Sequence, residues 1–219
     1  MKNFLSVVLV GMVLLFSSSC TKDRITGAGP VISEERSSKN FTKISIAGST
    51  DVTVSKGQNF SVMVKGYSNL LPYFETNVIN GTLEMGFKEH VNVRHDNTEV
   101  FVTLPVLNSL SVAGSGDIIS TGNFQENNQF ETIIAGSGSI TLEKGSSTHF
   151  YSSILGSGDV NAYGFIAEKV NIEVAGSGDT KITATDKLKV QITGSGNVFY
   201  KGSPNVSATI NGSGKVIKQ

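Results

Sequence analysis

From Phe41 onward, apolar and polar residues alternate in short runs. Asn171-Ile172-Glu173-Val174 and Lys189-Val190-Gln191-Ile192 show it most cleanly. A period of two predicts strands with one face buried. These runs stop repeatedly at one small tripeptide, Gly-Ser-Gly, which starts at Gly114, Gly136, Gly156, Gly176, Gly194 and Gly212. A recurrence of about twenty residues is the mark of a repeat architecture. Two positions before each first glycine stand Val112, Ile134, Ile154, Val174, Ile192 and Ile210. Two positions after each second glycine stand Ile118, Ile140, Val160, Thr180, Val198 and Val216. All are β-branched, so the unit reads as strand, sharp bend, strand.

No single unit buries enough surface to be stable alone, whereas stacked units turn each position into a ladder of like residues about 4.8 Å apart. A corner repeated at one height leaves no room for Cβ atoms, which accounts for the glycines. The serine between them is expected to bond its hydroxyl to the neighbouring rung's backbone. The chain is therefore expected to be all-β, a parallel β-helix-like solenoid of Gly-Ser-Gly repeats over residues 106–219, with a β-rich subdomain or cap over residues 31–105. Within that cap Ile44 to Val54 forms a seventh, degenerate copy with Thr50 at the second glycine position. It precedes the next copy by far more than one rung, so a β-meander is inserted. Phe60 to Lys65, Val78 to Phe87 and Val100 to Leu104 read as its strands, and Asn80-Gly81 as a hairpin turn. A single helical turn is expected to start within Ser68 to Leu71, with Pro72 either entering it early or cutting it off. At the far end Lys215 and Lys218 place charge on the last strand, a common guard for an unpaired edge.

Charge and cysteine usage narrow the function. Formal net charge is zero, and all three arginines, Arg24, Arg36 and Arg94, precede the repeats, which argues against a nucleic-acid partner. The one cysteine, Cys20, has no internal disulfide partner. It follows a basic Lys2, an apolar run from Leu5 to Phe16, and the small residues Ser17 to Ser19. That order reads as a signal peptide over residues 1–19. Cleavage just before a cysteine resembles a bacterial lipobox, with Ser17 where a leucine is usual, and implies that Cys20 is acylated and partners a membrane. Residues 20–30 then form a flexible tether. The expected location is the cell envelope, lipid-anchored, at the outer membrane and exposed on the surface. The alternative is an ordinary secretory signal with a free cysteine beside the cut.

Candidate chemistry is sparse. Asp117, Asp159 and Asp179 follow the bends in a column that Ser139 and Asn197 interrupt. Stacked carboxylates invite a calcium ion, but the period is about twice that of a nonapeptide roll, so bonds to turn backbone are expected instead. His90, His95 and His149 do not cluster as zinc ligands, and the bend serines lack the Gly-x-Ser-x-Gly pattern and a recurring histidine. No metal, cofactor or catalytic residue is assigned. Tyr151, Tyr163, Phe165, Phe199 and Tyr200 lie in or beside the repeats, and such rings stack on sugar faces. The candidate ligand surface is Asp117, Asp159, Asp179, Tyr163 and Tyr200, with a glycan or protein as ligand.

Four features together carry a family resemblance: the lipoprotein-like start, the Phe-Thr-x-Ile-x-Ile-x-Gly-Ser copy from Phe41, Leu70-Leu71-Pro72-Tyr73, and the serial Gly-Ser-Gly-Asp-Val units. The chain resembles the putative auto-transporter adhesin, head GIN domain family, a domain of unknown function common in Bacteroidetes, over about residues 40 to 217. The resemblance implies a β-helix-like fold and a secreted or lipid-anchored protein, and brings no catalytic residues. Ser139, Asn197 and Lys215 depart from the aspartate usual in its unit. The expected function is a non-catalytic adhesion or binding surface. The competing expectations are a polysaccharide-active enzyme on the same scaffold and a structural or assembly protein of the envelope.

Overall fold

The computed structural model describes residues 23–219, and Cys20 and the expected signal peptide lie outside the described residues. In chain order the first strands are β1 (Asp23–Thr26), β2 (Val31–Arg36), β3 (Lys43–Gly48), β4 (Asp51–Lys56) and β5 (Ser61–Tyr67). A 3-10 turn at Leu71–Tyr73, with Pro72 in its first turn, leads into β6 (Phe74–Ile79), β7 (Thr82–Phe87), β8 (Val91–Arg94) and β9 (Glu99–Leu104). The repeats supply β10 (Ser109–Gly114), β11 (Ile118–Ser120), β12 (Phe124–Gly136), β13 (Ser139–Leu142) and β14 (Gly145–Gly156). They end with β15 (Asp159–Gly176), β16 (Thr180–Gly194), β17 (Val198–Lys201), β18 (Asn205–Gly212) and β19 (Val216–Lys218).

The repeats stack in parallel and in one register. Ile46, Val112, Ile134, Ile154, Val174, Ile192 and Ile210 fall opposite one another from rung to rung. Beyond the bend, Val52, Ile118, Ile140, Val160, Thr180, Val198 and Val216 do the same. The fold is the expected all-β solenoid. In the first column Val112 through Ile192 are at most 2% exposed, whereas Ile210 is 38% exposed. It was expected to be buried with the others, but β18 pairs only with β16, so no rung covers its far side. Phenylalanines extend the core along the wider rungs. The Phe130 and Phe150 rings stack with centroids 6.1 Å apart, and Phe165 tilts against both.

Each bend repeats one hydrogen bond. Ser115, Ser137, Ser157, Ser177, Ser195 and Ser213 donate their backbone N–H groups, at 2.8–3.0 Å, to the carbonyl of the first bend glycine one rung earlier. The ladder thus runs through serine backbone, where a hydroxyl bond was expected. The carbonyls of the previous bend also explain both glycines. An added Cβ on Gly176 would collide with the Gly156 carbonyl oxygen, and one on Gly178 with that of Gly158. Gly176 carries a φ of +142° besides, whereas at Gly178 the close approach alone excludes a side chain. A Cβ on Gly48, in the first bend, would meet nothing within 4 Å. No bend lies beneath that one, which is why Thr50 fits where every later copy needs its second glycine.

The stretch between the first and second bends closes the lower end. Strands β7 and β9 continue the two columns below β3 and β4 in parallel. Antiparallel β6 then flanks β7, and β5 followed by β2 flanks β9. Asn80 and Gly81, at φ +50° and +75°, make the β6–β7 hairpin turn as expected. Because β10 pairs directly with β3, the expected boundary near residue 105 falls inside one continuous sheet. Part of the expected tether is also ordered. Asp23–Thr26 pairs in parallel with β8, the Gly27 N–H bonds Arg94, and Asn69 bonds both Ala28 and Thr26, so backbone pairing outweighs its polar, glycine-rich composition.

Two substitutions test this packing. Gly178→Ala is expected to lower stability by about 2 kcal/mol or more, since the added methyl must displace a neighbouring backbone carbonyl. A melting temperature equal to the parent's would contradict the close approach. Thr180 is fully buried between Val160 and Val198, and its hydroxyl has no hydrogen-bond partner. Thr180→Val keeps the shape and removes that orphan group, so it is expected to raise the melting temperature, by about 1 kcal/mol of stability.

Candidate functional site

The bend aspartates use their carboxylates as rung-to-rung clamps. Asp51 Oδ1 accepts the Asp117 N–H at 3.0 Å, and Asp117 Oδ1 accepts both the N–H and the hydroxyl of Ser139 at 2.8 Å. Asp159 Oδ1 accepts the Asp179 N–H at 2.7 Å, and Asp179 Oδ1 accepts the Asn197 N–H at 2.7 Å and its Nδ2 at 3.0 Å. Each carboxylate therefore caps the next rung's backbone rather than its own turn. The Ser139 and Asn197 departures fit the same role, since both side chains donate back to the aspartate below. Among the described residues, no three His, Cys, Asp or Glu side chains converge as metal ligands.

Tyr163 lies on this same outer face, with Lys201 Nζ 4.5 Å above its ring centre. Partial burial raises the pKa of its phenol above the ordinary value. Tyr200 aligns instead with the inward-facing Ile182 and packs against the core. The expected surface is thus divided: Asp117, Asp159, Asp179 and Tyr163 face outward, and Tyr200 does not join them.

A second outward face lies on the strands that precede the bends. Five residues before each first bend glycine, Lys43, Ser109, Glu131, Tyr151, Asn171, Lys189 and Ser207 form one column. Three residues before, Ser45, Ser111, Ile133, Ser153, Glu173, Gln191 and Thr209 form the next. Short side chains such as Ser109 and Ser153 stand among longer ones, and shallow hollows result. The first, about 350 Å³, is lined by Lys43, Asn108, Gln129 and Glu131 among others. The second, about 180 Å³, shares Glu131 with it and holds Tyr151, Asn171 and Glu173. The third, about 370 Å³, shares Ser153 and Glu173 with the second and runs past Leu155 to Gln191 and Thr193. The half-buried Tyr151 ring lies almost parallel to His149, at 11° with centroids 6.4 Å apart. The ion pairs among the described residues are Arg36–Glu34 and Lys65–Glu99, so neither Glu131 nor Glu173 is neutralised by one.

Glu131, Asn171, Glu173 and Gln191 were not among the expected ligand residues. Their positions are readable once the repeats are aligned on the bends, because an outward residue keeps a constant distance from the first glycine.

A family model described as putative auto-transporter adhesin, head GIN domain, matches residues 40–204. The chain belongs to that family. Its adhesin description implies a binding or adhesion role at the cell envelope or surface. The solved structures agree in fold. A putative adhesin from Bacteroides fragilis NCTC 9343 is 20% identical, with a TM-score of 0.72 over 89% of this chain and 100% of that one. A putative lipid binding protein from Parabacteroides distasonis ATCC 8503 is 25% identical, with a TM-score of 0.64 over 90% of this chain and 100% of the other. A putative adhesin from the same strain is 26% identical, with a TM-score of 0.53 over 90% and 100% of the two chains. No curated protein matches the chain. No helix among the described residues is long and apolar enough to cross a membrane.

If the aspartates are clamps, Asp179→Ala is expected to cost about 1–2 kcal/mol, because it orphans the Asn197 N–H, while Asp179→Asn retains an acceptor and costs less. Added calcium is expected to leave the melting temperature of the parent unchanged. A rise with calcium that Asp179→Ala abolishes would show that the column holds a cation.

Proposed function

We propose that the chain is a lipoprotein of the cell envelope, acylated at Cys20, whose solenoid serves as a non-catalytic adhesion or binding surface. The observation that carries this reading is the fixed register of the outward columns. Rung after rung, the fold holds amides, hydroxyls and carboxylates at constant height on a stiff frame, which is what an extended ligand needs from a receptor. The bend aspartates, which alone recur often enough to suggest grouped catalytic acids, already accept backbone N–H bonds on the following rung. Outer-membrane placement with exposure on the surface belongs to the same reading and suits an adhesin.

One observation favours the competing reading, a polysaccharide-active enzyme. Glu131 and Glu173 line the same hollow, and glycoside hydrolysis uses two carboxyl groups flanking one bond. Two measurements separate the readings. The full chain expressed in a bacterial host is expected to incorporate labelled palmitate, and Cys20→Ser to abolish the label; equal labelling of both would remove the anchor. Purified protein lacking residues 1–19 is expected to be retained on immobilised mucin or polysaccharide without releasing new reducing ends. Turnover of the polysaccharide would replace adhesion with catalysis.

A further inference from the structure

The three hollows adjoin through shared residues. Glu131 joins the first to the second, and Ser153 with Glu173 joins the second to the third. We infer that they form one diagonal groove that binds an uncharged oligosaccharide, with a sugar ring stacked on Tyr151. The inference rests on the binding reading above and gives it a ligand class and a site.

Three features of the groove select this ligand. The first is its chemistry. A pyranose ring offers an apolar face of C–H groups and a rim of hydroxyls, and Tyr151 supplies an aromatic platform for the face. Glu131, Asn171 and Glu173 surround that platform; the carboxylates accept from hydroxyl groups, and the amide both accepts from them and donates to them. Gln129 in the first hollow and Gln191 in the third continue the same chemistry outward.

The second feature is charge. Glu131 and Glu173 stand directly in the central hollow, where they repel a uronate, sulfate or phosphate. Of the cations on this face, Lys43 lies two rungs below Glu131, Lys189 one rung above Asn171, and Lys169, opposite His149 and Lys187, two residues before Asn171. None of them lines the central hollow, whereas both carboxylates do, which favours hydroxyl groups over an anion there.

The third is spacing and backbone. Successive rungs are about 4.8 Å apart, close to the advance of one sugar unit along an extended chain, so an oligosaccharide crossing the rungs meets a new polar side chain with each unit. A peptide adding itself as a strand is excluded here. The strands under the groove, β12, β14 and β15, are paired on both sides and offer no free backbone edge.

The test is calorimetric titration of the protein lacking residues 1–19 with cellohexaose, chitohexaose, xylohexaose and mannohexaose, and with oligogalacturonate as the anionic comparison. At least one neutral hexaose is expected to bind more tightly than oligogalacturonate. Tyr151→Ala is expected to weaken that binding by roughly tenfold or more, the loss of one stacked ring. Glu173→Gln, which keeps the shape, is expected to weaken it to a smaller extent, and Tyr73→Ala, at an exposed ring in the 3-10 turn outside the repeats, to leave it unchanged. Melting curves of the variants matching the parent would attribute the losses to the groove. Retention on mucin with no neutral hexaose bound, or with equal binding by Tyr151→Ala, would overturn the groove while leaving the adhesion reading in place. Failure of the parent to bind the hexaoses and to be retained on any surface would overturn both.

Discussion

Everything in this molecule depends on how closely one bend can approach the next. The carbonyl of a bend glycine accepts the N–H of the following rung's serine, and it occupies the space that a side chain on the glycine above would need. Hydrogen bond and steric exclusion are two consequences of one short separation. Were the bends spread to admit Cβ atoms, the N–H bonds would lengthen, and the flanking strands would lose the register that brings Val112 over Ile46 and Ile134 over Val112. The core therefore depends on the corner as much as the corner depends on the core. Burial of the branched aliphatics supplies the cohesion, but it is non-directional and would tolerate slippage. The bend supplies the direction.

That constraint also explains which parts of the fold were legible in the chain. A residue excluded by a neighbouring backbone leaves a mark at every repeat, so the Gly-Ser-Gly corners and the β-branched positions beside them could be read without coordinates. Thr50 is the instructive exception. As a departure from the pattern it suggested a degenerate copy, and in the fold it marks the one bend with nothing stacked below. The bonding role of the serines was less visible, because a backbone N–H leaves no signature in side-chain identity. The pairing of Asp23–Thr26 with β8 was likewise hidden, since a short strand that contributes little to the core has no apolar period to display.

The outward faces follow a different logic. Nothing presses on them from a neighbouring rung except charge and the occasional clamp, so their residues vary from copy to copy while their height does not. The aspartate column shows how such freedom is constrained in part: its carboxylates accept the next rung's N–H, and where aspartate is absent, Ser139 and Asn197 donate back to it. The face carrying Glu131, Tyr151 and Glu173 has no such bonds between rungs, and its side chains differ in size, which is what opens the hollows. The bend-anchored numbering would have placed these residues in two adjacent columns. It would not have revealed that short neighbours such as Ser153 leave them standing around a shared space.

Separating scaffold from surface has a consequence for how a binding face of this kind changes. A substitution in the corner or the inward columns is felt by the rungs on both sides, because each member of the ladder is a neighbour's wall. A substitution in an outward column alters one point of contact and leaves the register untouched. The shared fold at 20–26% identity to the solved structures fits that division: a small set of constrained positions maintains the solenoid, and the remainder is free to vary. Ligand preference in such a protein is then a matter of which side chains stand five and three residues before each bend. In this chain those positions bring an aromatic ring, two unpaired carboxylates and two amides into one groove.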